Sequence, residues 1–433
     1  MRLRGLSESV SDGLLVALAA ALVSGSFLLF VAPRVPRPLP PDYLNHYSPL
    51  AHSLLNGEGY RNDSGQPALV YPPGYPLILA GLFYVSGATG MGHAATLGMF
   101  NVLCGMGIAV VFFCIGKSLF GRRVALIGTL ILITYPLYVW LVRFPCTELP
   151  FMLLFFTAVF FVLRGIIRKS PLEAPSFAAG VLIGAGSLIR PFALLISLPM
   201  LPVLWLSSDR RSVVKRLMPC GLLLLGNFVA VLPWEAWVYK ESGLLIPLAT
   251  SLRTSMLDGL SRLDTRPDLP GQVLPIRADV HTFLQDIGRR SEELGSPMAI
   301  GGLLLRELIS KPATVLKLLI LKAARALYGT DSQRLEQPVA LLQIPYCLLA
   351  LFGARLAWRS GIHGRRFLGL LVPVVLYSWG LTIAVVSTVR YMVPMLGLSA
   401  ILVGLSLSAL VDRVFPRVGR SSNAALPSET PAP

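Results

Sequence analysis

Long apolar stretches separated by short polar ones make up most of this chain. They cover residues 13–32, 93–116, 124–140, 149–163, 174–206, 217–234, 338–354, 367–386 and 391–411. A helix needs roughly 20 mostly apolar residues to cross a bilayer core, so each stretch predicts one crossing and the longer 174–206 predicts two. The first stretch lacks a small-residue cleavage pattern and is predicted to be an anchor. The pattern therefore predicts an all-α polytopic membrane protein with about ten transmembrane helices.

The distribution of charge predicts how the chain is oriented in the membrane. The formal net charge is +16, although charged residues make up only 14% of the chain. Half of the Lys and Arg residues lie in the two termini and in the connections 117–123, 164–169, 210–216 and 355–366. The positive-inside rule places all of these in the cytoplasm, which requires an even number of crossings. We expect a multi-pass plasma (bacterial inner) membrane protein with both termini cytoplasmic, and no nucleic-acid partner.

Two shorter apolar segments, 76–86 and 311–328, are predicted to be interfacial or re-entrant, because one extra crossing would move a later basic cluster outside. The second carries Lys317, Lys322 and Arg325, as expected of a helix at the lipid headgroups. The predicted organisation is an N-terminal transmembrane region (1–236) containing a first outer loop (33–75), an outer loop with interfacial helices (237–337), C-terminal transmembrane helices (338–411) and a disordered cytoplasmic tail (412–433).

The first outer loop is unusually polar for a segment between two apolar ones. An apolar stripe at helical spacing, made of Tyr43, Tyr47, Leu50, Ala51, Leu54 and Leu55, predicts helices that rest on the membrane with Asp42 at the water–lipid boundary. Ser48 and Pro49 predict the start of a second short helix that ends at Gly57. The alternative role for Asp42 is that of a helix N-cap. Asp42 and His46 stand four residues apart, but no further metal ligand follows at useful spacing.

Three arginines and one acid are expected on the same outer side. Arg190 falls at the turn between two short spans, where a charge needs a polar cavity or an anion, or else snorkels to lipid phosphate. Arg390, at the start of the last span, admits the same two interpretations. Arg143 and Glu148 bracket another outer turn, and on spacing alone Glu148 is typical of a helix-start acid.

Several motifs, in order along the chain, resemble a known family. They are Asp42, "GEGY" at 57–60, "YPPGYPLILA" at 71–80, "TELPFMLL" at 147–154, "GSLIRPFALL" at 186–195, "PW" at 233–234 and "RYMVP" at 390–394. This chain resembles the membrane glycosyltransferases of the C-type (GT-C) fold, specifically the family 39-like group of protein O-mannosyltransferases and lipid A aminoarabinose transferases. The resemblance runs from near residue 42 to about 394 and is weak in the loop after Val238.

The resemblance implies a function and roles for the singled-out residues. It implies a hexosyl- or pentosyltransferase that moves a sugar from a polyprenyl-phosphate donor to a glycolipid, protein or polysaccharide acceptor at the outer face of the membrane. Asp42 becomes the catalytic base and Glu148 a second catalytic acid, with the first outer loop as the catalytic loop. The substrate-binding candidates are Arg143, Arg190, Arg390, Tyr71, Tyr75 and His46. The arginines suit the phosphate oxygens of the leaving group.

Two positions depart from the family pattern, since Tyr43 stands where many relatives have glutamate and Tyr71 where some have lysine or histidine. Three alternatives therefore stay open: a transporter or flippase of lipid-linked sugars, a polymerase or ligase of lipid-linked oligosaccharides, and an inactive relative. A transporter is expected to carry repeats and a site near mid-membrane, neither of which the sequence indicates. No cofactor and no bound metal is predicted, and a role for a divalent metal is left open. Membrane lipids are expected partners.

Overall fold

A computed structural model describes residues 2–35, 38–168, 171–208, 212–264, 272–331 and 333–414. Within these ranges the regular structure is helical, apart from one isolated bridge between Arg61 and Pro67. The helices are α1 Arg2–Ser26, α2 Ser48–Leu55, α3 Gly74–Thr89, α4 His93–Phe120, α5 Arg122–Thr134, α6 Pro136–Leu141, α7 Glu148–Arg168, α8 Glu173–Ile189, α9 Leu201–Ser207, α10 Val213–Ser242, α11 Leu252–Asp264, α12 Ala278–Arg289, α13 Pro297–Ser310, α14 Pro312–Tyr328, α15 Glu336–Arg359, α16 Ile362–Ala384 and α17 Val389–Val414.

Seven of the described helices are long and apolar enough to cross a membrane: Val10–Arg34, which extends α1, and α4, α7, α10, α15, α16 and α17. They confirm an all-α, multi-pass membrane protein. The other three predicted crossings fall on shorter pieces. The stretch 124–140 is α5 and α6, broken at Tyr135 before Pro136, and the pair within 174–206 is α8 followed by the apolar helix Pro191–Ser207. The predicted tail beyond residue 414 lies outside the described residues.

α17 lies at the centre of the bundle. It packs against α5, α7, α15 and α16, and its side chains are buried along almost its whole length. In contrast, α1 lies at the periphery against α4 and α5 and exposes Leu14, Leu18 and Leu22. Such exposed leucines are expected on the lipid-facing side of a membrane helix, because no water is present there to penalise them.

Helices α8 and α10 pack through glycines that allow their backbones to meet. A methyl group at Gly180 would lie 2.1 Å from the carbonyl oxygen of Leu223, and one at Gly226 would lie 2.3 Å from that of Phe177. Gly184, one turn along α8, faces the backbone of Asn227 in the same way. This is the small-residue spacing that brings membrane helices into close contact. The contact fixes the end of α8, where Arg190 follows.

The loop after α10 forms a helical layer of its own. α11, α12, α13 and α14 enclose a separate apolar core that includes Leu260, Phe283, Ile300 and Leu318. Sequence analysis predicted α14 but not this core. Gly259 of α11 docks against the segment between α16 and α17, since a methyl group there would lie 1.9 Å from the carbonyl oxygen of Val385.

The predicted position of two α14 cations is corrected by the structure. Lys322 and Arg325 are buried instead of lying at the headgroups. The Lys322 ammonium donates to the carbonyl oxygen of Val385 at 3.1 Å, and burial lowers its pKa to about 8. Arg325 pairs with Glu336 at 2.7 Å. These partners hold α14 down on the C-terminal helices, because a buried charge without one is costly.

We expect Gly180→Ala to lower the free energy of unfolding by about 1–3 kcal/mol, because the added methyl group meets backbone that cannot move aside alone. Gly221→Ala in α10 is the matched control, since nothing lies within 4 Å of a methyl group at that position. Alanine favours a helix over glycine, so the control is expected to be neutral or slightly stabilising. Unfolding of both variants in detergent measures the difference, and equal stability would contradict the packing described.

Candidate functional site

The first outer loop begins with one continuous helical segment. Pro41 and Asp42 start it, a π-helical turn follows at Tyr43–Tyr47, and α2 continues directly from Ser48. The predicted break before Pro49 is absent, and a wider turn precedes this proline, whose ring and missing N–H are hard to fit into a regular α-helix. Gly57 follows the end of α2 with a φ of 76°, so the predicted stop is confirmed.

The apolar stripe of this segment packs against protein. Leu50 and Ala51 are buried, and Tyr43, Tyr47 and Leu54 are packed against the main core. The expectation that the stripe rests on the membrane is therefore wrong for most of its length. Helical spacing shows that one face is apolar but does not distinguish a lipid surface from the neighbouring helix α3.

Asp42 does not act as a helix cap, and its exposed carboxylate remains a candidate for catalysis. It has helical dihedral angles, and its side chain makes no capping hydrogen bond. The carboxylate is exposed and accepts a hydrogen bond from the Tyr71 hydroxyl, with the two oxygens 3.4 Å apart. This is a long, weak hydrogen bond, so the carboxylate keeps lone pairs for another partner.

Tyr71 belongs to an aromatic cluster that lines the loop. Its ring centroid lies 5.1 Å from that of His46 and 5.0 Å from that of Tyr47, and Tyr47 in turn meets Tyr75 edge-on at 5.1 Å. The structure thus brings together four predicted residues: Asp42, His46, Tyr71 and Tyr75. Gly74, between the two loop tyrosines, allows α3 to begin against the backbone of Leu188, two residues before Arg190.

Tyr47 joins this cluster electrostatically to the arginines. Burial raises the pKa of its phenol well above the ordinary value, the nearby Tyr71 and Asp42 raise it further, and Arg190 lowers it. Burial is also the main reason that the pKa of Tyr71 is raised, followed by the charge of Asp42. Both phenols therefore stay protonated at neutral pH and can donate hydrogen bonds without adding negative charge.

Glu148, the first residue of α7, lies at the centre of a buried ion triad. Its side chain is 1% exposed and pairs with Arg190 at 2.7 Å. Arg390 approaches the same carboxylate through two nitrogens, one of them 3.2 Å from Oε2. Two cations against one anion leave the triad with a net charge of about +1.

Of the two arrangements that the sequence left open for Arg190, the structure shows the one in which its charge faces an anion, Glu148. α8 ends at Ile189, as predicted, and Arg190 follows in an extended conformation. Its side chain is only 5% exposed. It donates to the Thr147 hydroxyl at 3.0 Å, and its guanidinium lies over the rings of Phe192 and Tyr391. Arg190 is therefore enclosed by protein and does not snorkel to the headgroups.

Arg390 is the accessible arginine of the triad, with 34% of its side chain exposed. Its Nε and Nη2 both donate to Glu148, which leaves Nη1 outside that pair. Arg143 lies outside the triad, on the turn between α6 and α7, with its guanidinium over the rings of Trp140 and Phe144.

Sequence reasoning missed Thr147 and Tyr391, which complete the surroundings of Arg190, and it missed α11. Asp258 and Arg262 of α11 form an ion pair at 2.7 Å. The charge of Asp258 makes a small contribution to the raised pKa of Tyr71, after burial and Asp42. Thr147 and Tyr391 sit beside predicted residues in "TELP" and "RYMVP", and that adjacency was the available signal. Nothing in the sequence ties α11 to the site.

The site does not assemble metal ligands from the described residues. No three His, Cys, Asp or Glu side chains among them lie close enough to share an ion. Asp42 and His46 provide two ligand types at most, and the structure brings no third one to them.

Two comparisons with known proteins agree on the architecture. The sequence model of the dolichyl-phosphate-mannose-protein mannosyltransferase family matches residues 70–237. The archaeal oligosaccharyltransferase AglB from Archaeoglobus fulgidus, in complex with an inhibitory peptide and a dolichol-phosphate, superposes with a TM-score of 0.53 at 13% identity over 93% of this chain. The chain has the C-type glycosyltransferase fold. The predicted resemblance and fold class are thereby confirmed.

Other solved structures extend the comparison. The Archaeoglobus fulgidus oligosaccharyltransferase complexed with Zn and sulfate matches with a TM-score of 0.55 at 14% identity, over 93% of this chain and 50% of its own. ArnT from Cupriavidus metallidurans bound to undecaprenyl phosphate matches with a TM-score of 0.43 at 16% identity, over 96% and 81%. The chain spans about half the length of the AglB structures it resembles. No significant match was found among curated protein sequences.

The buried triad predicts a large stability effect at Glu148. Glu148→Gln leaves the buried Arg190 and the partly exposed Arg390 without a carboxylate, which is expected to cost about 3–5 kcal/mol of unfolding free energy. The control is Glu241→Gln, because the partner of Glu241 is Arg61, a side chain that is 42% exposed. A pair of that kind contributes about 0–1 kcal/mol. Chemical denaturation in detergent compares the two, and similar losses would show that the triad is not a stabilising element.

Proposed function

We propose that this protein transfers a sugar from a polyprenyl-phosphate donor to an acceptor at the outer face of the membrane. The observation that carries the proposal is the pairing of an exposed carboxylate, Asp42, with a buried arginine–glutamate triad that keeps a net positive charge. The Asp42 carboxylate can receive a proton, and the positively charged triad can bind a phosphate. The C-type glycosyltransferase fold supports this assignment.

Arg390 is the proposed ligand of the donor phosphate. It is the partly exposed member of the triad, and Glu148 fixes its guanidinium from behind. A guanidinium held in this way meets the phosphate without first losing rotational freedom, which strengthens charge stabilisation in the transition state. Glu148 then acts by orienting Arg390 and balancing Arg190, since its own oxygens are occupied. Its earlier assignment as a second catalytic acid becomes a positioning role in this proposal.

Asp42 is the proposed general base. An acceptor hydroxyl or amine attacks the anomeric carbon and gives its proton to the Asp42 carboxylate. The bond from the anomeric carbon to the phosphate oxygen breaks, and its electron pair stays on the polyprenyl phosphate beside Arg390. Tyr71 contacts the Asp42 carboxylate through its hydroxyl, and the half-buried rings of His46 and Tyr47 form an aromatic wall for the sugar. Tyr75, predicted to bind substrate, is 1% exposed and supports this wall from the core.

In this proposal the site lies on the outer face of the membrane, opposite the basic connections. The positive-inside rule places the basic connections in the cytoplasm. The first loop, the α6–α7 turn, the end of α8 and the start of α17 then lie together on the opposite face. A donor with its isoprenoid chain in the bilayer presents its phosphate at that level, which is where Arg390 stands.

Asp42→Asn tests the base directly. We expect normal expression, retained donor binding and a loss of turnover of at least about a hundredfold, because an amide cannot accept the proton. Asp63→Asn, an exposed position on the same loop, is the matched control and should keep full turnover. The assay uses purified protein with polyprenyl-phosphate sugars and candidate acceptors, scoring transfer and binding separately. Near-normal turnover of Asp42→Asn would remove Asp42 from the mechanism.

Arg390→Gln tests the phosphate assignment. Glu148 still pairs with Arg190 in this variant, so the fold is expected to survive. Loss of one charge-assisted contact should weaken polyprenyl-phosphate binding about tenfold or more. Arg390→Lys keeps the charge but loses the two-pronged geometry, so its affinity for the polyprenyl phosphate should lie between those of the wild type and Arg390→Gln. Binding is measured by competition with a radiolabelled polyprenyl phosphate. Unchanged affinity of Arg390→Gln would place the phosphate elsewhere.

A further inference from the structure

Two motifs singled out in the sequence, "GEGY" at 57–60 and "PW" at 233–234, meet each other in the structure. Tyr60, the last residue of the first motif, is 7% exposed. Its ring stands edge-on to those of Trp234 and Trp237, with centroids 5.3 and 5.8 Å away, and the two indoles stack on each other at 4.9 Å. Aromatic neighbours so close leave the Tyr60 ring few rotamers. The C-terminal end of α10 therefore fixes the direction of the Tyr60 hydroxyl.

The Tyr60 hydroxyl donates its hydrogen bond to the main chain of the first outer loop. The acceptor is the carbonyl oxygen of Tyr71, at 2.9 Å. Tyr71 is the residue whose own hydroxyl contacts the Asp42 carboxylate at 3.4 Å. A contact of that length is too weak to hold the Tyr71 phenol by itself. The position of the phenol therefore depends on how firmly the main chain of Tyr71 is held.

A second connection from α10 holds the same segment two residues earlier. The N–H and the hydroxyl of Thr250 both donate to the carbonyl oxygen of Leu69, at 3.0 and 3.2 Å. Just before Thr250, Leu248 has a φ of 61°, a left-handed conformation that leucine seldom adopts. Trp234 donates to the carbonyl oxygen of Leu248 at 2.8 Å, and Glu235 accepts from its N–H at 2.7 Å. A strained residue persists only where its surroundings fix it, so this connection is also rooted in the "PW" end of α10.

The start of the segment that leads to Tyr71 is held from α2. The hydroxyl of Ser53 in α2 donates to the carbonyl oxygen of Gly59 at 2.9 Å. The chain then folds back on itself, since the N–H of Ala68 donates to the carbonyl oxygen of Tyr60 at 3.2 Å. Tyr60 is therefore held from two sides, by α2 through Gly59 and by α10 through the two indoles.

We propose that Tyr60 is a positioning residue for the transfer reaction, whose hydroxyl fixes the main chain at Tyr71 and so holds the Tyr71 phenol beside the Asp42 carboxylate. The inference rests on the function proposed above, in which Asp42 receives the proton of the acceptor. Tyr60 acts through Tyr71. A base that turns away from the acceptor loses rate although its chemistry is intact. The donor phosphate is assigned to Arg390, so donor affinity does not depend on Tyr60.

Hydrogen exchange tests the hold on the main chain without any transfer reaction. Tyr60→Phe keeps the ring against the two indoles and removes only the hydroxyl. In the purified full-length protein, we expect the amides of residues 68–72 to exchange about three- to tenfold faster than in the wild type, because the segment loses one hydrogen bond. The matched control is Tyr346→Phe, since Tyr346 is also 7% exposed and also donates to a carbonyl oxygen, that of Leu396 in α17. It should leave exchange at 68–72 unchanged.

Turnover separates positioning from a merely structural role. Tyr60→Phe should lower turnover about three- to tenfold and leave donor affinity unchanged, because only the orientation beside Asp42 is affected. Tyr346→Phe should keep both. Tyr71→Phe removes the hydroxyl that contacts Asp42 and should also lower turnover. Adding Tyr60→Phe to Tyr71→Phe should then cause no further loss, because both changes act through that one hydroxyl.

Three results would overturn the proposal. Unchanged exchange at 68–72 in Tyr60→Phe would show that the hydroxyl does not fix this segment. Faster exchange with normal turnover would show that transfer does not depend on the position of Tyr71. Additive losses in the double variant would show that Tyr60 acts by another route. Normal turnover of Asp42→Asn would contradict the proposed function instead, and the exchange measurement would still decide whether Tyr60 holds the Tyr71 main chain.

Discussion

The pairing of Glu148 with two arginines is the interaction on which the site depends. A carboxylate that is 1% exposed inside a helical bundle is tolerated only with cations against it. Those cations come from the end of α8 and the start of α17, so the triad ties three separate segments together at one point. Any arrangement of α7, α8 and α17 that separated these side chains would bury an unpaired charge, and this restricts how the bundle can pack.

The triad also explains why neighbouring residues have the character they do. Two aromatic rings lie against the buried guanidinium of Arg190, and the Thr147 hydroxyl accepts a hydrogen bond from it. The glycines of α8 bring that helix close to α10. This contact fixes the position of Arg190, which directly follows α8. Packing far from the site therefore contributes to the position of a charge inside it.

The sequence predicted much of the helical framework because apolar length is a local property. It also singled out Asp42, Tyr71, Tyr75, Arg190 and Arg390 as candidates, and the structure brings these residues to one end of the bundle. The pairing of Glu148 with Arg390 could not be predicted, since 242 residues separate them and each alone looks like a boundary residue. The prediction that the first-loop stripe rests on the membrane was wrong for a related reason. Helical periodicity shows which face of a helix is apolar, but it does not show what packs against that face.

Asp42 is exposed, whereas Arg190 and Glu148 are buried, and this difference affects how the site responds to salt. Ions screen partly exposed pairs such as Arg61 and Glu241 over about 10 Å at ordinary ionic strength, but they cannot enter a packed interior. Asp42 faces the solution, while the field of Arg190 and Glu148 acts through protein. Because Arg390 is only partly exposed, the attraction for an anion near it should fall less steeply with added salt than that of a fully exposed patch of the same charge.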